Sequence, residues 1–214
     1  MAEKQIVDAI KKAIEGSSAR ERKFKQTLDL AINLKNVDMK NPKNRLDEEI
    51  QLPHGRGRDC KIAVFAGGET AVKAKERAEL VISPEQLNEL AGDKKKIKKI
   101  AEEYTFFIAE APMMATIGKS LGKVLAPRGK MPKPIPPHGD ATSIIEAMRN
   151  TIRLRSKDKK TFHTIVGAED MDPEKVAENI EVLIKRVESR LERGRMNIGS
   201  VYIKTTMGPA VRIF

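Results

Sequence analysis

Cysteine is almost missing. Cys60 stands alone among 214 residues, so no intramolecular disulfide can form and a reducing compartment is expected. Tryptophan is absent and aromatic residues make up 4% of the chain, which argues against a platform of stacked bases on a bound single strand. No apolar run approaches the ~20 residues of a membrane-spanning helix, so no membrane partner is expected. Lys4, Asp8, Lys11 and Lys12 interrupt the first residues, which lack the apolar stretch of a signal peptide; a cytoplasmic protein is expected. Histidine is scarce too. His54, His138 and His163 lie far apart with no carboxylate or cysteine at ligand spacing, so neither a metal nor another cofactor is expected.

Charge is abundant and unequal in sign. Lys and Arg number 41 against 30 acids, a net +11, and an excess of this size favours a polyanionic partner. Ion-pair networks of a heat-adapted protein would account for 33% charged residues, but not for their sign. Enzymatic motifs fail on inspection. Gly118-Lys119-Ser120 resembles the end of a phosphate loop, but the first glycine would be position 113, which is Met. Gly55 and Gly57 lack a third glycine at position 60 and precede a strand instead of following one. No order of Ser, His and Asp or of Cys and His suggests a nucleophile, and the contiguous Asp47-Glu48-Glu49 reads as a solvated loop.

Ile6, Ile10 and Ile14 at four-residue spacing predict an amphipathic helix ended by Gly16-Ser17-Ser18. From Phe24 to Lys35 the even positions are Phe, Gln, Leu, Leu, Ile and Leu, an alternation that predicts a strand with one buried face. A short strand near Glu49 to Leu52 leads into the breaker segment Pro53 to Arg58. Beyond it strands alternate with helices: Lys61 to Ala66, Thr70 to Arg77, Leu80 to Ile82, a helix opened by Ser83-Pro84-Glu85, a lysine-rich helix opened by Asp93, and Thr105 to Ala109. That grammar predicts a small parallel-sheet domain. A Pro- and Gly-rich stretch runs to Gly139, followed by a helix from Thr142 to about Ile152. A strand from Thr161 to Val166, the longest helix from Asp172-Pro173 with Val176, Ile180, Leu183, Val187 and Leu191 on its buried face, and a strand from Ile198 to Thr205 complete the pattern.

Two segments suit an RNA partner. Gly118 to Pro134 holds Lys119, Lys123, Arg128, Lys130 and Lys133 among glycines and prolines, so it reads as a stiff loop that loses little entropy when its cations meet phosphates. Thr205 and Thr206, followed by Met207 and Gly208, offer neutral hydrogen-bonding groups suited to ribose 2′-hydroxyls, while Phe24 begins its apolar face beside Lys23 and Lys25, with Arg20 and Arg22 upstream.

Taken together, Phe24 with Gln26-Thr27, the junction Leu52-Pro53-His54-Gly55, the run from Gly118 to Pro134, Phe162-His163 with Val166-Gly167, and the run from Ser200 to Ile213 resemble the large-subunit ribosomal protein L-one family. Ala126, where many members carry Gly, is a departure. The run from Arg56 to Ala66 and the lack of a C-terminal extension are closer to archaeal than to bacterial members. The resemblance implies a mixed α/β and α+β protein of two domains: a split α+β sandwich formed by both chain ends, residues 1–58 and 155–214, and an inserted three-layer, Rossmann-like α/β domain, residues 59–154. It further implies a non-enzymatic constituent of the large subunit that forms the mobile lateral stalk, assists movement and release of exit-site tRNA, and represses translation of its own mRNA. The partners so implied are large-subunit rRNA, exit-site tRNA, that mRNA and other ribosomal components. Carried over by position, the rRNA contacts are Lys23, Phe24, Lys25, Gln26, Thr27, His163, Gly167, Thr205, Thr206, Met207 and Gly208. A second set for tRNA or second-domain RNA is Lys119, Lys123, Arg128, Lys130 and Lys133.

Overall fold

A computed structural model of the chain describes residues 2–18, 22–136 and 141–214. Helix α1 (Ala2–Ser18) precedes strands β1 (Thr27–Leu34) and β2 (Asp47–Gln51). Then follow β3 (Ile62–Phe65), α2 (Gly68–Lys75), β4 (Leu80–Ile82), α3 (Pro84–Gly92), α4 (Lys94–Glu103) and β5 (Phe106–Glu110). Two short helices, α5 (Met114–Ser120) and α6 (Gly122–Leu125), lead to β6 (Lys133–Ile135) and α7 (Ala141–Arg149). Last come β7 (Thr151–Arg155), β8 (Thr161–Ala168), α8 (Pro173–Arg190), β9 (Ile198–Thr205) and β10 (Val211–Arg212). The backbone packs into two compact units, Met1–Arg58 with Asn150–Phe214, and Asp59–Arg149.

In the first unit an antiparallel sheet runs in the order β10-β9-β1-β8. Its central strand β1 alternates strictly, with Leu28, Leu30, Ile32 and Leu34 buried and the residues between them half-exposed, as period-2 geometry demands. The buried face packs on α1 through Ile6, Ala9, Ile10 and Ala13, and on α8 through Val176, Ile180, Leu183 and Val187. Truncating one of the fully buried leucines, Leu30→Ala for example, would cost about 2–5 kcal/mol. The opposite face carries polar residues and stays open to solvent, a layout that antiparallel sheets permit.

Residues 47–49 are not a loop. Asp47 to Gln51 pair with β7 in register from Asp47↔Arg155 to Gln51↔Thr151, and Ile50, Leu52, Ile152 and Leu154 extend the same core. The acids are held in that strand by cations: Glu48 takes Arg186 Nε at 2.8 Å and also pairs with Arg190, while Asp47 takes Arg153 Nε at 2.9 Å. The same pairing corrects the helix expected from Thr142 to Ile152, which stops at Arg149. Thr151 and Ile152 are β-branched and find a strand partner, so β7 belongs with the chain-end unit and not with an insert over 59–154. Buried Asn179 pins the breaker segment to α8: its Oδ1 accepts His54 N–H at 3.1 Å, and its Nδ2 donates to Gly55 O and Val166 O, each at 3.0 Å. Gly55 there adopts φ +69°, a conformation that suits glycine.

The second unit is a parallel sheet ordered β4-β3-β5-β6. All four residues of β3 are buried, because helices cover both faces. Ala63 and Phe65 of β3 with Phe107 of β5 face Leu87, Ile97, Ile117 and Leu125 of α3 to α6. Ile62 and Val64 with Ile108 face Ala74 of α2 and Ile145 and Met148 of α7. Three layers result, as expected.

Helix α3 is closed by a reciprocal Ser83–Gln86 capping box with Pro84 in its first turn. Helix α4 is stranger. Asp93 Oδ1 caps it by accepting from Lys95 N at 2.9 Å and Lys96 N at 3.2 Å, yet lysines at 95 and 96 meet the positive end of the helix dipole. Each is disfavoured there by about 0.3–1 kcal/mol.

The Gly118 to Pro134 stretch is also more ordered than a stiff loop. It contains the end of α5, all of α6 and the start of β6, because Ile117, Leu121 and Leu125 bury against the sheet. Gly118-Lys119-Ser120 closes α5 instead of opening a helix, and Ser120 Oγ donates to Thr116 O at 2.7 Å, so the phosphate-loop resemblance has no structural counterpart.

Candidate nucleic-acid interface

One end of the first unit's sheet gathers the start of β1, the residues after β8, the end of α1 and the turn after β9. Gln26 joins them. It lies on the buried side of β1's alternation and is 3% exposed. Its Oε1 accepts Met207 N–H at 3.1 Å, and its Nε2 donates to Ser17 Oγ at 2.6 Å and to Glu169 Oε2 at 3.1 Å. Gln26 N–H donates to Glu169 Oε1 at 2.8 Å, and Glu169 N–H returns to Gln26 O at 3.1 Å. Every polar group of Gln26 is thereby spent inside the protein. The resemblance implies an RNA contact at Gln26; its burial and bonds make it the brace of the rim.

What the brace presents is apolar and hydroxylic. Phe24 precedes β1 instead of beginning its buried face, and is 50% exposed; Met207 is 57% exposed. Exposed large apolar side chains are informative where they adjoin polar groups. Thr206 Oγ1 accepts Thr27 N–H at 3.2 Å, lies 3.2 Å from Thr27 Oγ1 and donates to Thr27 O at 3.5 Å, so two hydroxyls share one exposed position, and the lone pairs of Thr27 Oγ1 remain for a ligand's donor. Thr205, by contrast, is fully buried and its Oγ1 has no hydrogen-bond partner. That oxygen occupies the space a side chain at 208 would need, and a Cβ at 208 would also come within 3.2 Å of Ser17 Cβ and 3.4 Å of Ala13 O. Gly208 is required here for close packing of the turn on α1. Lys25 is tied to Asp170 at 2.6 Å, and its ammonium holds the Asp170 carboxyl below the usual aspartate range. Lys23 is exposed.

The open face continues the rim. Across it run Thr161–Asn33–Ser200, His163–Ala31–Tyr202 and Ile165–Asp29–Lys204 as paired rows. Thr161 Oγ1 donates to Asn33 Oδ1 at 2.7 Å and Asn33 Nδ2 to Ser200 Oγ at 2.8 Å, a ladder that fixes the amide. His163 is exposed on this face. Burial pushes the Asp29 carboxyl above its usual range, and the charges of His163 and Lys204 pull part of that rise back. Gly167 is buried under α8, where a Cβ would lie 3.0 Å from Val176 Cγ2; its place makes it a spacer.

The second-unit cations divide. Arg128 donates to Lys98 O at 3.3 Å and to Glu102 Oε1 at 2.9 Å. Lys130 Nζ donates to Ala101 O and Tyr104 O, each at 2.7 Å, and desolvation there, helped by Arg128, lowers its pKa from the usual lysine range. Both side chains tie the 126–130 turn to α4. Lys133 heads β6, half-buried. Lys119 and Lys123 are exposed. Arg20 and His138 lie outside the described residues. Among those described, no group of three or more His, Cys, Asp or Glu could hold a metal, and no helix is long and apolar enough to cross a membrane.

Sequence reasoning missed Ser17, Asp29 and Glu169. Asp29 was visible as the single acid on β1's open face. Ser17 read only as a helix stop, and Glu169 sits 143 residues from Gln26, with no local signal to join them.

Residues 6–209 match the Ribosomal protein L1p/L10e family. The chain is 54% identical over 214 residues, all of both chains, to the large ribosomal subunit protein uL1 of Methanocella arvoryzae. It is 54% identical over 209 residues to that of Methanothrix thermoacetophila, covering 97% of this chain and 98% of the relative. The large ribosomal subunit protein uL1 of Archaeoglobus fulgidus is 50% identical over 210 residues, covering 98% and 97%. A match that spans both units and the whole rim leaves one conclusion: the chain belongs to the ribosomal protein L1p/L10e family, as an archaeal member.

Proposed function

We propose that this chain is a non-enzymatic structural constituent of the large ribosomal subunit, located in the cytoplasm within the ribosome, and that it binds large-subunit rRNA through the rim and open face of its first unit. The observation that carries this reading is the braced turn at 205–208, which holds exposed Met207 beside the paired hydroxyls of Thr27 and Thr206. An irregular RNA helix with a splayed loop offers the complement: 2′-hydroxyls for the threonines, a base or sugar face for Met207 and Phe24, and phosphates for Lys23 and Lys25. Recognition would then rest on shape, 2′-hydroxyls and phosphate, since a deep A-form major groove admits no side chains.

On this reading the rRNA-bound chain forms the mobile lateral stalk, and Lys119 and Lys123 of the second unit reach exit-site tRNA to assist its movement and release. The same rim would accept a mimic of the rRNA site on the chain's own mRNA and repress its translation.

Filter binding of an rRNA fragment at fixed salt tests the assignment. Thr206→Val keeps the side chain's shape and removes its hydroxyl, so an RNA hydroxyl is left unpaired at a cost of about 1–3 kcal/mol, roughly tenfold to a hundredfold in affinity. The lost hydrogen bonds to Thr27, at an exposed position, should lower the melting temperature by only a few degrees. Lys133→Ala should leave affinity within about twofold, as for a charge remote from the site. Wild-type binding by Thr206→Val together with a tenfold loss in Lys133→Ala would move the site to the other unit.

A further inference from the structure

We propose that the lysine face of α4 is a second RNA-binding surface, one that holds phosphate backbone by charge without regard to sequence. It is separate from the rim and does not depend on it. Five of the six residues from 94 to 99 are lysine. The exception, Ile97, is buried with Ala101, while Ile100 and Tyr104 pack partly against the same core. Helical spacing therefore turns Lys95, Lys98 and Lys99 outward as one stripe, with Lys96 exposed beside it.

The neighbouring acids do not neutralise this stripe. Asp93 spends Oδ1 on the helix cap and reaches Lys96 only at 3.9 Å. Glu102 is taken by Arg128 at 2.9 Å and Glu103 by Lys61 at 2.6 Å. Helix α6, packed against α4, contributes exposed Lys123.

Such a face is unfavourable for the fold. Lys95 and Lys96 oppose the helix dipole, and Lys95 with Lys99 is a like-charge pair at i, i+4. A bound polyanion would offset both repulsions with its own attraction to the lysines. RNA fits better than an acidic protein, because the outward stripe offers no apolar or aromatic anchor, and lysine is depleted where proteins dock on proteins. A phosphate backbone needs only the charge, and Lys95 to Lys99 presents it along about 6 Å of helix.

The test uses the whole chain and an RNA duplex unrelated to rRNA, with the salt dependence of binding measured. In the triple variant Lys95→Gln, Lys98→Gln, Lys99→Gln the slope of log K against log salt should shrink by about 2–3, and affinity at low salt should fall tenfold or more. The same variant should melt about 2 °C higher, because the repulsion is relieved. A control triple, Lys11→Gln, Lys73→Gln, Lys75→Gln, removes equal charge elsewhere and should keep most of the affinity. Equal losses in the two triples would mean that net charge alone binds, and no loss in the α4 triple would mean that α4 takes no part; either overturns the proposal. Polyglutamate that displaces the duplex as well, charge for charge, as a second RNA does would overturn the choice of RNA. Affinity of the α4 triple for the specific rRNA fragment should stay within about threefold, which separates this surface from the rim.

Discussion

Gln26 and Glu169 bind each other through a pattern of donors and acceptors that allows one exchange and forbids either half of it. Glu169 accepts from both the backbone and the side-chain nitrogen of Gln26, while Gln26 Oε1 accepts from Met207. Gln26→Glu alone sets two carboxylates against each other. Glu169→Gln alone offers one oxygen and one amide nitrogen to two donors. Each single change should weaken rRNA binding by about tenfold, the cost of a broken buried hydrogen bond. The paired exchange restores the pattern, since the new amide at 169 donates to the new carboxylate at 26, which still accepts from Met207. It should bind within about threefold of wild type. A double variant no better than the worse single one, by filter binding at fixed salt, removes Gln26 and Glu169 from any positioning role. Half of this device was legible in the sequence: the alternation put Gln26 on the buried face, a place a contact residue does not occupy. The other half depends on a tertiary neighbour that no periodicity encodes.

At the scale of the element, β1 shows what pattern can and cannot give. Its twofold period names the buried face outright, whereas Thr151 to Arg155 could be read as the end of a helix until β2 is there to pair with it. Asp47-Glu48-Glu49 misled for the same reason, because a strand of acids becomes reasonable only when Arg186, Arg190 and Arg153 are seen beside it. The open face of β1 yields a prediction of its own. Burial holds the Asp29 carboxyl above its usual range, so the ionised form weighs against the fold. Stability from this group therefore rises as pH falls through the raised value toward 3.8, and is lowest above it. Asp29→Asn should melt higher than wild type at pH 7 and lose that advantage once both forms are neutral in acid. With the acid gone from between His163 and Lys204, rRNA affinity at pH 7 should rise about two- to fivefold. Unchanged affinity would confine the RNA to the rim and keep it off the sheet face.

For the whole molecule, the strand pairings set where the chain can be cut. Joining residues 1–58 directly to 150–214 keeps β7 beside β2 and should yield a folded protein with most of the rRNA affinity. Joining at 155 removes Ile152 and Leu154 from the core and should melt far lower, at about 2–5 kcal/mol for each lost side chain. Circular dichroism and filter binding on the pair decide this; a folded 150-junction protein that binds no rRNA places the site in the second unit. Two units could be suspected from the change of grammar at Pro53 to Arg58, but pairing of β1 with β8 and β9 could not, because strand partners leave no mark on each other's sequence. That pairing also has a consequence in time. Strand β1 is flanked by β8 and β9, which emerge roughly 130 to 170 residues later. At about 5–20 residues per second of synthesis, β1 waits roughly 6 to 26 seconds with both edges unpaired, and roughly 8 to 34 seconds before the second edge has its partner. During that interval its row of leucines is a hazard for which a chaperone would be the remedy. Until residue 208 has emerged there is no turn for Gln26 to brace, so on the proposed reading a nascent or prematurely released chain would lack the finished RNA-binding rim.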